Sequence, residues 1–447
     1  MTFEPIGEVP EAIHEIARPI QGETELDEIV EMIANKRLVL LGEATHGTHE
    51  FYDLRAAITR RLISKYGYAG VLIEGDWPDS LRVDRFVRGH ATADDRSLFA
   101  FGGFERFPRW MWRNEDVSAF VDWLQSYNAA LPADRRCGFY GLDLYSLHSS
   151  MHAVLQYLDD NDPEAARRAR QHYACFDHAQ GDPQHYGVQA EIGLGPRCKK
   201  EVLAVLVEMQ RRKVARSGRT PSGDAWFHAM QQANVVRNAE QYYRVMLAGR
   251  TAAWNLRDTH MADTIDLLAQ HLCVDGVPAK LVVWAHNSHA GDARATEMGD
   301  GGQLSVGQIV RQRHPNETAL VGFTTCHGNV IAAHDWDEPP GRTAVRAALQ
   351  GSWEHLFHDA GLARFYMTAG SMRRVIGPRV ERIERAIGVV YRPETERQSH
   401  YFHARLADQF DFVIHVDATR GVEPLDAADA PHTVEEPDLP ETYPTGV

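Results

Sequence analysis

Along the chain, short apolar runs repeatedly end in an ionisable residue. Leu38-Val39-Leu40-Leu41 is followed at once by Gly42-Glu43-Ala44-Thr45-His46-Gly47. A continuous apolar run of this length, bounded by turn residues, predicts a buried strand over about 37–41, with Glu43 and His46 in the loop where it emerges. Ala69–Ile73 predicts a second strand ending in Glu74-Gly75-Asp76, and Cys137–Leu142 a third ending in Asp143. Leu281–Ala285 leads into His286-Asn287-Ser288-His289, and Ala319–Phe323 into Thr324-Thr325-Cys326-His327. Ala386–Tyr391 and Phe410–Val416 read as later strands.

Between the strands the period changes to that of a helix. Residues 24–33 place Leu26, Ile29, Val30 and Ile33 on one face, with Thr24 as the expected N-cap. Thr48 is the expected cap of a helix running to about Lys65. Taking 100° per residue from Phe51, Leu54, Ile58 and Leu62 fall at about 300°, 340° and 20°. Arg55 falls at about 40°, on the edge of that apolar face, whereas Arg60 falls at about 180°, where a solvated charge belongs. An unpaired buried charge is very costly, so Arg55 requires a partner, and the carboxylates at the strand ends are the nearest candidates. Residues 150–270 have few β-branched runs and read as a helical subdomain, with breaks at 181–196 and 217–223.

Strands alternating with helices predict an α/β fold with a mainly parallel sheet flanked by helices. The expected organisation is a lead-in over 1–36, an α/β domain over 37–420 containing the helical subdomain, and an acidic, Pro-rich, loosely draped tail over 421–447. Ligands of such sheets bind beyond the carboxyl ends of the strands. Glu43, His46, Glu74, Asp143, His286 and His289 all lie at such ends. The aromatic cluster containing Trp110 and Trp112 suits a pocket wall or a core plug, and both tryptophans are taken as substrate-binding candidates together with His289 and Asp143.

The formal net charge of −15 over 447 residues argues against a nucleic-acid backbone or an anionic membrane as partner, and leaves a neutral small molecule open. No signal peptide and no membrane-length apolar run is visible, and the five cysteines form no C-x-x-C pair. The expectation is a cytoplasmic protein with reduced thiols; its oligomeric state is left open. Histidine beside a carboxylate suits activation of water near neutral pH. A second imidazole and Arg55 suit stabilisation of an oxyanion. There is no Gly-x-Ser-x-Gly elbow, P-loop or dinucleotide fingerprint. The rival is a metal site, since His46/His49 and His286/His289 are each three apart.

Leu-Gly-Glu43-Ala-Thr-His46-Gly, the helix bearing Arg55, Leu-Ile-Glu74-Gly-Asp, and Trp-Ala-His286-Asn-Ser-His289 in this order resemble the erythromycin esterase family, and the likeness extends through Gly291–Gly299. The resemblance implies an α/β fold with a helical part and a cleft, and metal-independent, cofactor-free hydrolysis of a macrolactone ester. It implies His46 as the base, Glu43 and Glu74 as the groups that orient the ring and the water, and Arg55 and His286 as support. Two other functions are weighed: a hydrolase or cyclase for a non-macrolide ester or amide in secondary metabolism, and a metal- or haem-binding protein using the same histidines.

Overall fold

Every residue of Leu38–Leu41 is buried, and so is every residue of Leu281–Trp284. Strands so short and wholly apolar persist only where both faces of the sheet are covered. The computed structural model describes residues 8–90, 100–179, 183–211, 221–246 and 249–426. Its strands are β1 (Arg18–Pro19), β2 (Leu38–Leu41), β3 (Gly70–Asp76), β4 (Gly138–Asp143), β5 (Leu281–Trp284), β6 (Thr318–Ala332), β7 (Gly341–Val345), β8 (Arg364–Thr368), β9 (Arg382–Arg385), β10 (Tyr401–Ala404) and β11 (Phe412–Thr419). The main sheet runs β1-β8-β11-β6-β2-β5-β3-β4, with β7 added to the far end of β6. From β11 to β4 every pairing is parallel, while β1, β7 and β8 pair antiparallel at the periphery.

The two-residue period of a strand sorts the core into two layers. Val39, Leu41, Val71, Ile73, Val282 and Trp284 face the helices Glu23–Ile33, His49–Tyr66 and Glu115–Ala129. Leu38, Leu40, Leu72, Leu281 and Val283 face the opposite layer, built largely from the helices between Leu147 and His271. Each fully buried aliphatic side chain contributes roughly 1.5–3 kcal/mol, so the alternation fixes the register firmly.

Several expectations are corrected. A helix over Glu8–Ile16 comes first, and the helix expected from Thr24 starts at Glu23 with Gly22 as its cap, because the Glu25 carboxylate accepts the Gly22 N–H at 2.9 Å. Ala386–Tyr391 is not a ladder strand: it touches its neighbours through the single bridges Thr45–Ile387 and Ala333–Val390, and the pairing passes to β9 with β10. β6 extends well past Phe323, because its later part pairs with β7. Within the expected break at 181–196, Pro183–Glu191 is a helix, with proline in its tolerated first position. A Cβ at Gly187 would stand 2.2 Å from the Tyr243 carbonyl oxygen, so glycine lets this helix approach Pro221–Val245. Of the second break, residues 217–220 lie outside the described residues.

The cysteines also differ from expectation. Cys175 and Cys198 form a disulfide, with their Cα atoms 5.8 Å apart, while Cys137, Cys273 and Cys326 are thiols outside any disulfide. Helix packing brings together two positions whose sequence spacing carries no sign of pairing. Residues 421–426 of the expected tail are docked, with Val422 buried and Gly421 and Pro424 bridging to Thr48 and Asn114; residues 427–447 lie outside the described residues. Among the described residues no helix is long and apolar enough to cross a membrane.

Candidate active site

β2, β5, β3 and β4 are consecutive neighbours, and residues at and just beyond their carboxyl ends line a cavity of about 400 Å³. The loops after β2 and β5 meet over Gly42, where a Cβ would lie 2.2 Å from the Asn287 side-chain oxygen. Asn287 fastens both loops: its N–H donates to the Glu43 carbonyl at 2.8 Å and its side-chain NH2 to the Phe323 carbonyl at 2.8 Å. Gly47, at φ 65°, turns the chain into the His49–Tyr66 helix.

His46 Nδ1 donates to Glu43 Oε1 at 2.9 Å. The other carboxylate oxygen of Glu43 is 2.9 Å from Arg55 Nη2, and both of these side chains are 0% exposed. The Arg55–Glu43 contact is a close ion pair without the alignment of a hydrogen bond. The guanidinium lies 4.3 Å from the Tyr52 ring centre and 5.2 Å from that of Trp284. The inward position expected for Arg55 is therefore met, and its partner is a strand-end carboxylate. It stands behind Glu43 rather than in the cavity wall, so it does not reach an oxyanion there.

Glu74 binds the next loop and the helical layer. Its Oε2 accepts the His286 backbone N–H at 2.9 Å, and its Oε1 accepts from Arg257 at 2.8 Å. Burial alone would raise the Glu74 carboxyl, but His289 and Arg257 beside it hold it well below the usual range. Arg257 also donates to both oxygens of Asp143, at 2.9 and 2.7 Å. This bidentate geometry fixes the guanidinium plane.

The two imidazoles after β5 differ in charge. His286 Nδ1 accepts from the Ser288 N–H at 3.2 Å and hydroxyl at 2.8 Å, which leaves its Nε2–H to donate to the Ala44 carbonyl at 3.3 Å. Burial, with His46 nearby, pushes His286 down to about 3, so the ring is neutral. His289 is held charged. Burial opposes the proton, but Asp258 at 2.9 Å and Glu74 at 3.3 Å raise it to about 9. Arg257 Nη1 is 3.1 Å from His289 Nε2, a like-charge approach made tolerable by Glu74 facing both cations. Trp254 stacks on His289 with ring centres 4.4 Å apart.

Glu43, His46, Glu74, Asp143, His286 and His289 are thus brought together, and His46 and His286 stand 4.9 Å apart as ring centres. No hydrogen bond joins Glu74 to His46. Trp112 lines the cavity and donates its indole N–H to the Glu74 carbonyl at 3.1 Å. Trp110 does not line it: its ring packs over Gly47 as part of the core. His49 also points elsewhere, to Asp116 at 2.8 Å, so the His46/His49 pair does not converge on a common point.

Sequence reasoning missed Arg257 and Asp258, on the Arg250–His271 helix. A signal for the second existed. Trp254, Asp258, Met261, Ile265 and Leu268 follow the four-three spacing of one helix face, so Asp258 interrupts an apolar stripe as Arg55 does. Asp76 and Asp79 also line the cavity, and neither is marked by the strand-end pattern of the sequence. Burial raises both, Asp79 to about 8 with Asp76 adding to the effect, while Arg106 pairs with Asp76 at 2.6 Å.

Known proteins share this architecture. A family model described as erythromycin esterase matches residues 63–419, a span that holds Glu74, Asp143, Arg257, His286 and His289 and begins after Arg55. An erythromycin esterase type II of Escherichia coli is 22% identical over 318 residues, covering 68% of this chain and 72% of that protein. The crystal structure of a succinoglycan biosynthesis protein superposes with a TM-score of 0.74 at 18% identity, covering 95% of this chain and all of the other. An erythromycin esterase mutant, EreC, in its open conformation gives 0.64 at 15% identity, covering 92% and 99%. These superpositions establish the likeness of fold, and the family match, which takes in most of the chain, shows that this protein belongs to the erythromycin esterase family of hydrolases.

Proposed function

We propose that this chain hydrolyses a carboxylic ester by water activated at His46, with no covalent intermediate and no metal. The observation that carries the reading is the Arg55–Glu43–His46 series, which ends in an imidazole at the cavity wall. With Nδ1 bound to Glu43, Nε2 is the nitrogen left for water. His46 takes a proton from water as the water oxygen attacks the ester carbonyl carbon. Glu43 stabilises the imidazolium so formed, and the tetrahedral intermediate then expels its alkoxide, which takes the proton back from His46. Ester and water give acid and alcohol, and the enzyme is regenerated. A positioned base of this kind contributes about 10²–10⁴-fold.

Arg257 and His289 are held by Glu74, Asp143 and Asp258, so their part is to fix the cavity wall in place rather than to bring net positive charge to it. Neutral His286 offers a polar surface without competing for the proton. Asp143 fixes Arg257, and Trp112 with Trp254 and Tyr145 gives the cavity flat apolar walls for substrate.

A macrolactone is the substrate class favoured by the family and by the name of the E. coli relative. A smaller, non-macrolide ester is favoured by the cavity, whose volume of about 400 Å³ lies low in the range of roughly 300–1,000 Å³ for drug-sized ligands. The two are separated by incubating the protein with macrolides and simple esters and following the gain of one water by mass spectrometry, with His46→Asn as control. Hydration of a macrolide by the wild type alone supports the first. Hydration of simple esters alone selects the second, and no hydration of any ester, or equal hydration by His46→Asn, overturns the reading.

A further inference from the structure

A second cluster of ligating side chains lies on β6 and β11, and none of it lines the cavity. The two strands pair in parallel with Thr324 opposite His415. Residues two apart on a strand share a face, so Cys326, His415 and Asp417 point the same way. The Trp353–Asp359 helix covers that face and contributes His358, whose Nδ1 is 2.7 Å from Asp417 Oδ1. One ligand atom each from Cys326, His358 and Asp417 lie within 4.8 Å of one another. His327 Nε2 stands 3.7 Å from the second Asp417 oxygen.

The chemistry of this group is that of a zinc site. Zinc takes thiolate, imidazole and carboxylate at about 2.0–2.3 Å in a tetrahedron, which sets its ligand atoms roughly 3.3–3.8 Å apart. Closing the cluster onto an ion requires movement on the order of 1 Å, within the reach of half-exposed imidazoles. The burial is graded as an ion would require. The thiol is buried at the floor, and His327 and His358 stand at an open rim that provides the entry path.

His415 supplies an independent sign. It is wholly buried, its Nδ1 is 2.9 Å from the Thr324 hydroxyl, and its Nε2 faces Asp417 at 3.5 Å without a hydrogen bond. His415 thus leaves a buried polar nitrogen without a hydrogen-bond partner, aimed at the cluster from below. Arg385, which donates to the Cys326 carbonyl at 2.6 Å, is itself paired with Glu396 at 3.1 Å and so does not occupy the cation position.

We propose that Cys326, His358 and Asp417 bind one zinc ion that ties the Trp353–Asp359 helix to β6 and β11, with the fourth position, at the open rim beside His327, taken by water. Binding replaces the Cys326 thiol proton, and any proton on the ligating imidazole, by the metal, and those protons pass to solvent.

The test uses the full chain, stripped with chelator, dialysed, and titrated with Zn2+ by calorimetry and with Co2+ by absorption spectroscopy. The expected result is one sub-micromolar site per chain, proton release on filling, a thiolate-to-cobalt charge-transfer band, and a higher melting temperature with zinc. Cys326→Ser should abolish the band and weaken zinc at least about tenfold. His358→Asn should weaken it comparably, and because His358 is at the surface this variant tests the site even if the buried cysteine change impairs folding. His286→Asn should leave the titration unaltered. Absence of a stoichiometric site, or a site lost in His286→Asn and kept in His358→Asn, overturns the proposal. Neither result bears on ester hydrolysis, since these ligands are outside the cavity.

Discussion

Removing Arg55 tests the base of the active site most directly. The guanidinium and the Glu43 carboxylate are both inaccessible to water, 2.9 Å apart. Arg55→Ala leaves Glu43 buried with His46 as its remaining partner and opens a hole between Tyr52 and Trp284. Deleting one member of a buried pair costs about 3–5 kcal/mol, most of it the stranded charge. The ring contacts contribute up to about 2 kcal/mol, which overlaps that figure rather than adding to it. The unfolding free energy from urea titration should therefore fall by about 3–5 kcal/mol. Arg55→Met keeps most of the volume and isolates the charge. Combined with Glu43→Gln, which removes the stranded carboxylate, it should be less destabilising than the two single changes summed, by at least about 1.5 kcal/mol. Turnover should fall in each variant, because Glu43 then no longer holds His46 rigidly. A loss below about 1 kcal/mol for Arg55→Ala, with additive behaviour in the double variant, would refute the reasoning.

Four further perturbations test the rest of the site. His46→Asn should lower kcat by about 10²–10⁴ while the melting temperature stays close to wild type; near-normal turnover removes His46 as the base. His289, raised to about 9 from an ordinary 6.5, contributes stability that is complete below pH 6.5 and is lost as pH rises through 9. At about 1.4 kcal/mol per unit, and discounted for the coupling to Asp258, this amounts to about 2–3 kcal/mol. Denaturation at pH 6 and pH 10 should show that decline in the wild type and a flatter profile in His289→Gln, and equal slopes would count against it. Arg257→Met should cost about 3–5 kcal/mol by stranding Glu74 and Asp143, with Arg257→Lys a poor rescue because an ammonium lacks the bidentate fork; full rescue by lysine would contradict the geometry. Chelator should leave ester hydrolysis unchanged while lowering the melting temperature of zinc-loaded protein. Loss of turnover restored by zinc would instead move the metal into the cavity.

What could be read in advance followed from periodicity. β2, β3, β4 and β5 are apolar runs each closed by an ionisable residue, and a parallel sheet has a fixed end for ligands, so Glu43, His46, Glu74, Asp143 and His286 were legible together. Arg55 was legible because a helix has a fixed angle per residue. Other features depend on tertiary packing. Trp110 and Trp112 are two apart in a short turn, and only the docking of Trp110 on Gly47 decides that Trp112 alone reaches the cavity. Cys175 and Cys198 meet because helices fold back on one another. Ala386–Tyr391 is as apolar as a strand, yet the residues it bridges, Thr45 and Ala333, lie outside any strand, so it packs without joining a ladder.

Arg257 marks the point where the sheet ceases to explain the site. The sheet ends and the loop after β2 bring Glu43, Glu74 and Asp143, and the His49–Tyr66 helix neutralises only the first. Glu74 and Asp143 share a cation that arrives 183 and 114 residues away from them, on the Arg250–His271 helix. The same helix brings Asp258, the carboxylate that holds His289 charged. The helical layer therefore does more than cover the cavity: without it Asp143 would lose its cation and Glu74 would keep only His289, a loss of several kcal/mol. Any movement that opens the cavity by lifting this helix must separate Arg257 from Asp143 and Glu74, or carry the strand ends with it. Opening by that route therefore costs the Arg257 pairs to Asp143 and Glu74, at several kcal/mol.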